Sequence, residues 1–89
     1  MRYIINFQII IAGGKVSNDI IRSSYTILEK DSNKYNLSNI AKVECWFKEF
    51  YKEKPLDHFI DTSKISKKTS LDMKIGRITN SISGEYKTY

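Results

Sequence analysis

The chain has 89 residues, enough for one domain and too few for a second hydrophobic core. With 40% hydrophobic and 28% charged residues, its composition is that of a folded globular protein and excludes a disordered or low-complexity chain. A net charge of +5 favours an anionic partner, while a lone cysteine and short apolar runs indicate a cytoplasmic protein without disulfides or a membrane partner.

The first predicted element is a strand over residues 2–11. Apolar Tyr3, Ile5, Phe7, Ile9 and Ile11 alternate there with a more polar set of positions. A period of two is typical of a strand with one apolar face, and such a strand needs a partner in a sheet. The Gly13-Gly14 pair that follows predicts a turn at its end.

Two helices are predicted in the middle of the chain. Apolar residues from Val16 to about Lys30 fit a helix, and a strand around Tyr25–Leu28 remains an alternative because this stretch contains β-branched residues. The polar run 31–34 indicates a loop or hairpin turn. A longer helix, capped by Ser38, is predicted to run to about Lys54.

The longer helix leaves two interpretations open. Residues 41–48 also alternate at period two, so a strand is the rival structure, but Pro55 and a wide charged face favour the helix. Trp46 lies off the apolar stripe and either faces a partner or covers the edge of the core. Cys45 lies beside the stripe and is predicted to be a small packing residue.

The stretch from residue 61 to 82 has the pattern of two short helices around a tight corner. Leu71, Ile75, Ile78 and Ile82 recur at steps of four, three and four, which places them on one stripe of a helix. Thr69 and Asp72 have the spacing of a capping box, and Gly84 stands where the helix would end. Residues 62–89 carry six basic and two acidic side chains, so most of the net positive charge lies in this part.

The run I-S-K-K-T-S-L-D-M-K-I-G-R-I, residues 65–78, resembles the helix-turn-helix of winged-helix DNA-binding domains. Ile65 and Ser66 stand where that family has an apolar and a small residue, and Thr69-Ser70-Leu71 resembles its Thr-Gly-Leu corner. The resemblance implies a recognition helix over residues 71–83 that reads the major groove of duplex DNA.

We therefore predict a small α+β domain with an N-terminal strand and three to four helices, two of them forming the helix-turn-helix. Its function would be that of a transcriptional regulator, or of an accessory factor of a virus, plasmid or host. A homodimer is expected, because one short helix reads few base pairs. The candidate DNA-binding residues are Lys64, Lys67 and Lys68 for phosphates, and Met73, Lys74, Arg77 and Asn80 on the outward face of the recognition helix.

Enzymatic chemistry and a metal or cofactor site are not predicted. His58 is the only histidine, and Cys45 has no paired cysteine or histidine at a metal-ligand spacing. The alternative function is a protein-interaction module or inhibitor that uses the apolar strand or the Trp46 helix as its interface.

Residues 85–89 are predicted to begin a wing strand, with the N-terminal strand as its sheet partner.

Overall fold

The computed structural model describes residues 2–12, 19–60 and 70–89. Its elements in chain order are β1 (Tyr3–Ala12), β2 (Asp19–Ile27), α1 (Glu29–Lys34), α2 (Ile40–Glu53), a 3₁₀ turn (Leu56–His58), β3 (Ser70–Asn80) and β4 (Tyr86–Thr88). The strands form one antiparallel sheet in the order β2-β1-β3-β4. The described part of the chain therefore contains two α-helices, one of them short, and the prediction of three to four helices is wrong.

The N-terminal strand is confirmed and lies in the interior of the sheet. β1 pairs with β2 along one edge and with β3 along the other. The predicted alternation decides its faces: Tyr3, Ile5, Phe7 and Ile9 are at most 3% exposed. Because both edges of β1 are paired and its apolar side chains lie in the core, this strand is not available as the interface proposed for an interaction module.

The predicted recognition helix over residues 71–83 is wrong, because this segment forms β3 and then a turn. The pairing of β1 with β3 shifts register between Asn6 and Phe7, and Gly76 is the extra residue on β3. This β-bulge puts Ile75 and Ile78 on the same face, three residues apart, although neighbours on one face of a regular strand are two apart. Ile82, the fourth residue of the predicted stripe, is 69% exposed.

Helix α2 covers one face of the sheet and closes the core. Val43 and Phe47 are fully buried, and the Phe47 ring lies 5.4 Å from Phe7 of β1 and 5.8 Å from Phe59. The helix is confirmed, but its N-cap is Asn39 rather than Ser38, since the Asn39 side chain accepts a hydrogen bond from the Lys42 N–H at 2.9 Å. The apolar stripe of α2 thus provides the second layer of an α/β sandwich.

Two further predictions are corrected in the middle of the chain. The helix from Val16 to Lys30 is wrong where the chain is described, because residues 19–27 form β2. The strand alternative was nearer, since Tyr25 and Ile27 face the core while Ser24 and Thr26 are exposed. The polar run 31–34 is not a loop but belongs to α1. Pairing with β1, a long-range contact, outweighs the weak local helical pattern.

The turn from β3 to β4 depends on one buried amide. Asn80 is 6% exposed, and its side-chain oxygen accepts hydrogen bonds from the backbone N–H groups of Ile82 and Ser83 at 3.0 and 3.2 Å. Gly84 adopts a φ of +80°, a conformation that residues with a side chain rarely accept. Gly84 therefore closes a strand turn rather than ending a helix. The predicted C-terminal strand forms as β4, but its predicted partner is wrong, because β4 pairs with β3 and not with the N-terminal strand β1.

Candidate functional site

The face of the sheet turned away from α2 carries polar side chains, and no described helix packs on it. We call it the open face. Because side chains alternate along strands, it receives the residues of each strand that do not enter the core. Its members are Ile20, Arg22, Ser24 and Thr26 of β2, Ile4, Asn6, Gln8 and Ile10 of β1, Asp72, Lys74, Arg77 and Thr79 of β3, and Tyr86 and Thr88 of β4.

Two rows of these side chains run across the sheet. Arg22, Gln8 and Lys74 lie opposite one another on three successive strands. The next row along the strands consists of Ser24, Asn6 and Arg77, and Thr88 continues it onto β4. Neighbouring strands are about 4.8 Å apart and alternate residues of one strand about 6.7 Å apart, so the two rows form a compact array of hydrogen-bonding groups.

A shallow depression of about 560 Å³ lies within this array. Its lining includes Asn6, Gln8, Arg22 and Ser24, with Gly76 at the bulge. A methyl group at Gly76 would stand 3.4 Å from the Asn6 carbonyl oxygen. The glycine that allows the bulge therefore also leaves the backbone of β3 accessible from the open face.

The open face has an excess of positive charge that its own residues do not neutralise. Arg22, Lys74 and Arg77 face a single carboxylate, Asp72. Within the described residues, none of the three cations forms an ion pair. The Arg77 guanidinium instead lies over the Tyr86 ring, with its Cζ 4.9 Å from the ring centroid. This cation–π contact holds the guanidinium beside an aromatic side chain that is 62% exposed.

The surface of α2 differs, because Lys48 and Lys52 have carboxylate neighbours on the same helix. Lys48 Nζ lies 2.9 Å from Glu44 Oε2, and Lys52 Nζ lies 3.7 Å from Glu49 Oε1. The hydrogen bond from Lys48, assisted by one from Tyr89, lowers the pKa of Glu44 below its ordinary value. The helix surface is thus internally compensated, and the open face is the described surface best suited to an anion.

Of the predicted DNA-binding residues, only two of those described lie on the open face, Lys74 and Arg77. Met73 is half-buried on the opposite face of β3, and Asn80 is buried in its turn. Lys64, Lys67 and Lys68, like Thr62 and Ile65 of the predicted first helix, lie outside the described residues, as does the predicted Gly13-Gly14 turn.

The residues that β1 and β2 contribute to the open face are not among the predicted site residues. Asn6 and Gln8 occupy the polar positions of the β1 alternation, so a signal for them was present. Arg22 has no such signal, because the apolar pattern of residues 16–30 fits a helix.

The Trp46 surface is more enclosed than expected for an interface. Trp46 is half-buried and stacks on Phe50, with ring centroids 4.6 Å apart at an angle of 17°. The ring centroid of Tyr35, at the end of α1, lies 5.4 Å from that of Trp46. Trp46 therefore covers the edge of the core, the second of its two predicted roles. Cys45 is exposed, so the prediction that it packs in the core is wrong.

The described residues contain no group of three or more histidine, cysteine or acidic side chains arranged to hold a metal ion. None of the described helices has both the length and the apolar character needed to cross a membrane. No protein-family model, curated protein or solved structure matches the chain, so the resemblance to winged-helix domains is neither supported nor refuted by these comparisons. Function is therefore inferred from the chain's own geometry and chemistry.

Proposed function

We propose that the protein binds single-stranded nucleic acid on the open face of its sheet. The observation that carries this proposal is the set of three exposed cations, Arg22, Lys74 and Arg77, which have no carboxylate partner and no covering helix among the described residues. Phosphate groups are the natural counter-charge for such an array, and the net charge of +5 attracts a polyanion from a distance.

The side chains between the cations supply the remaining contacts. Asn6 and Gln8 each carry a donor and an acceptor that can meet the edge of a base. Tyr86, with Arg77 against its ring, offers a planar surface on which a base can stack. The array thus combines phosphate, base-edge and stacking contacts, the combination that single-strand-binding surfaces use.

The width of the sheet favours a single strand over a duplex. Four strands spaced about 4.8 Å apart span about 14 Å before side chains are added, whereas the major groove of DNA is about 12 Å wide and admits a helix or a two-stranded ribbon. The predicted reading of duplex DNA required a helix at residues 71–83, and that segment forms β3 followed by a turn. A flexible single strand can instead lie across the rows of the open face.

Binding can be measured by fluorescence anisotropy with a labelled oligothymidylate, its RNA counterpart and a random duplex, each at two salt concentrations. The single strands should bind more tightly than the duplex, and affinity should fall steeply with salt. Each phosphate contact contributes about 0.7 to the slope of log K against log salt for single strands. The Arg22→Ala/Arg77→Ala variant should lower that slope by about 1.4 and weaken binding of all single strands.

The Lys48→Ala/Lys52→Ala variant of α2 is the matched control. It removes the same two positive charges from the compensated helix surface and should retain most of the affinity. Equal losses in the two variants would mean that only net charge matters, and the open-face assignment would then be wrong. Tighter binding to the duplex than to either single strand would also overturn the proposal.

A further inference from the structure

We propose that two copies of the chain associate through the free edge of β3, joining their sheets into one. This inference goes beyond nucleic-acid binding and concerns the edge of the sheet, where Lys74 is the one residue shared with the cations of the open face. β3 is 11 residues long, but β4 pairs with it only at Arg77–Thr79. On the β4 side, the described chain provides no strand partner for β3 between residues 71 and 75.

The backbone groups of this edge point outward and can accept a strand. Asn80, whose side chain faces the core, directs its backbone N–H toward β4 and donates to the Glu85 carbonyl at 2.7 Å. In a strand of L-residues, all residues on one face direct their backbone groups to the same edge. Met73 and Ile75, which also face the core side, therefore present their N–H and C=O groups at the free edge, and Leu71 follows by alternation.

The space beside this edge is large enough for another strand. A groove of about 930 Å³ lies between β3 and α2, with Tyr51, Met73 and Ile75 among its apolar lining residues. Tyr89 closes one end of the groove, where its N–H donates to the Gly76 carbonyl at 2.9 Å. An added strand would therefore lie beside residues 71–75, in line with β4. Its inward side chains would face Tyr51, Met73 and Ile75, with Lys48 and Lys52 of α2 beside them.

The residues of this edge are complementary to themselves, which identifies the occupant as a second copy. When the segment around Met73 pairs antiparallel with its own copy, Asp72 lies opposite Lys74 twice. Asp72 and Lys74 fall at the non-hydrogen-bonded positions, where side chains of opposite residues come closest. Both ion pairs lie on the open face, so in the dimer Arg22 and Arg77 remain its uncompensated cations.

Self-association can be followed by analytical ultracentrifugation from micromolar to millimolar protein, without nucleic acid. The wild-type mass should rise with concentration from 10.4 kDa toward twice that value. Amide hydrogen exchange at Met73 and Ile75 should slow over the same range, because their N–H groups gain acceptors.

Charge reversal tests the proposed register. Asp72→Lys and Lys74→Asp should each weaken self-association roughly tenfold, because each variant brings like charges together at both pairs. An equimolar mixture of the two variants should regain wild-type association, since every lysine then meets an aspartate. The double reversal Asp72→Lys/Lys74→Asp should also associate like the wild type. Lys42→Asp, the same charge change on the exposed surface of α2, should have no effect.

Three results would overturn the proposal. The first is a wild-type chain that stays at 10.4 kDa at millimolar concentration. The second is association that neither single reversal weakens or that the mixture does not restore, which would place the contact elsewhere. The third is a chain that stays monomeric and whose Met73 amide is protected from hydrogen exchange only after a peptide of glutamate and valine is added. That result would assign the edge to a strand from another protein. Anisotropy with Arg22→Ala/Arg77→Ala tests nucleic-acid binding separately, so either proposal can fail alone.

Discussion

Ile78 and Ile82 provide a direct comparison between the helical stripe predicted from the sequence and the strand that is observed. A helix over residues 71–83 would bury both side chains. In the structure Ile78 is fully buried, opposite Ile5 of β1, whereas Ile82 is 69% exposed in the turn before β4. The same substitution at the two positions should therefore have very different effects on stability.

The expected magnitudes follow from burial. Ile78→Ala removes a side chain from a closed core and should lower the free energy of unfolding by about 2–5 kcal/mol, because the transfer free energy is lost and a cavity remains. Ile82→Ala should change it by less than about 0.5 kcal/mol. For a domain of this size, each kcal/mol lowers the melting temperature by about 4–8 °C.

Urea unfolding followed by far-UV circular dichroism and by Trp46 fluorescence measures both variants. Ile78→Ala should shift the midpoint with an unchanged slope, since the surface exposed on unfolding is nearly the same. Comparable losses in the two variants would support the helix and contradict the bulged strand. An unchanged midpoint in Ile78→Ala would remove this residue from the core.

Three further predictions concern the turn, the thiol and pH. Asn80→Ala should cost about 1–3 kcal/mol, because two backbone donors lose their acceptor, while Asn80→Asp should retain most of the stability in the same urea assay. Cys45 should react completely with an alkylating reagent in the native protein, as mass spectrometry can show, without lowering the melting temperature. Burial, aided by Glu44, raises the pKa of Tyr89 from 10.0 to about 12. The contribution of Tyr89 to the free energy of unfolding should therefore be complete below pH 10 and disappear as the pH rises through about 12. In Tyr89→Phe, the urea midpoint should lack this loss between pH 10 and about 12.

The sequence was most informative where local pattern and tertiary environment agree. In β1, one face of the alternation is apolar at every position, and that face is the core of the protein. In α2, a stripe that includes Val43 and Phe47, followed by Pro55, identified both the helix and its buried side. The cap was misplaced by one residue because Ser38 and Asn39 are both good caps and only the backbone geometry distinguishes them.

The site was only partly predictable, because the positions of its residues depend on the pairing of the strands as well as on local pattern. Lys74 and Arg77 were identified as outward-facing cations, and they are exposed on the open face. Arg22 was not, because its position opposite Gln8 depends on the register of β2 with β1, which involves residues far apart in the chain. No local pattern contains that information.

The sequence by itself determined the apolar faces of β1 and α2, because a period of two and a period of 3.6 residues each allow one buried side. It also determined that Ile75 and Ile78 would be buried together. Only the tertiary structure decided that they do so on a strand. A bulge at Gly76 inserts one residue into a period-two pattern, and the resulting spacing of three is the same as that of a helix. Pairing with β1 favours the strand over the helix, because the backbone groups on the second edge of β1 form hydrogen bonds with β3.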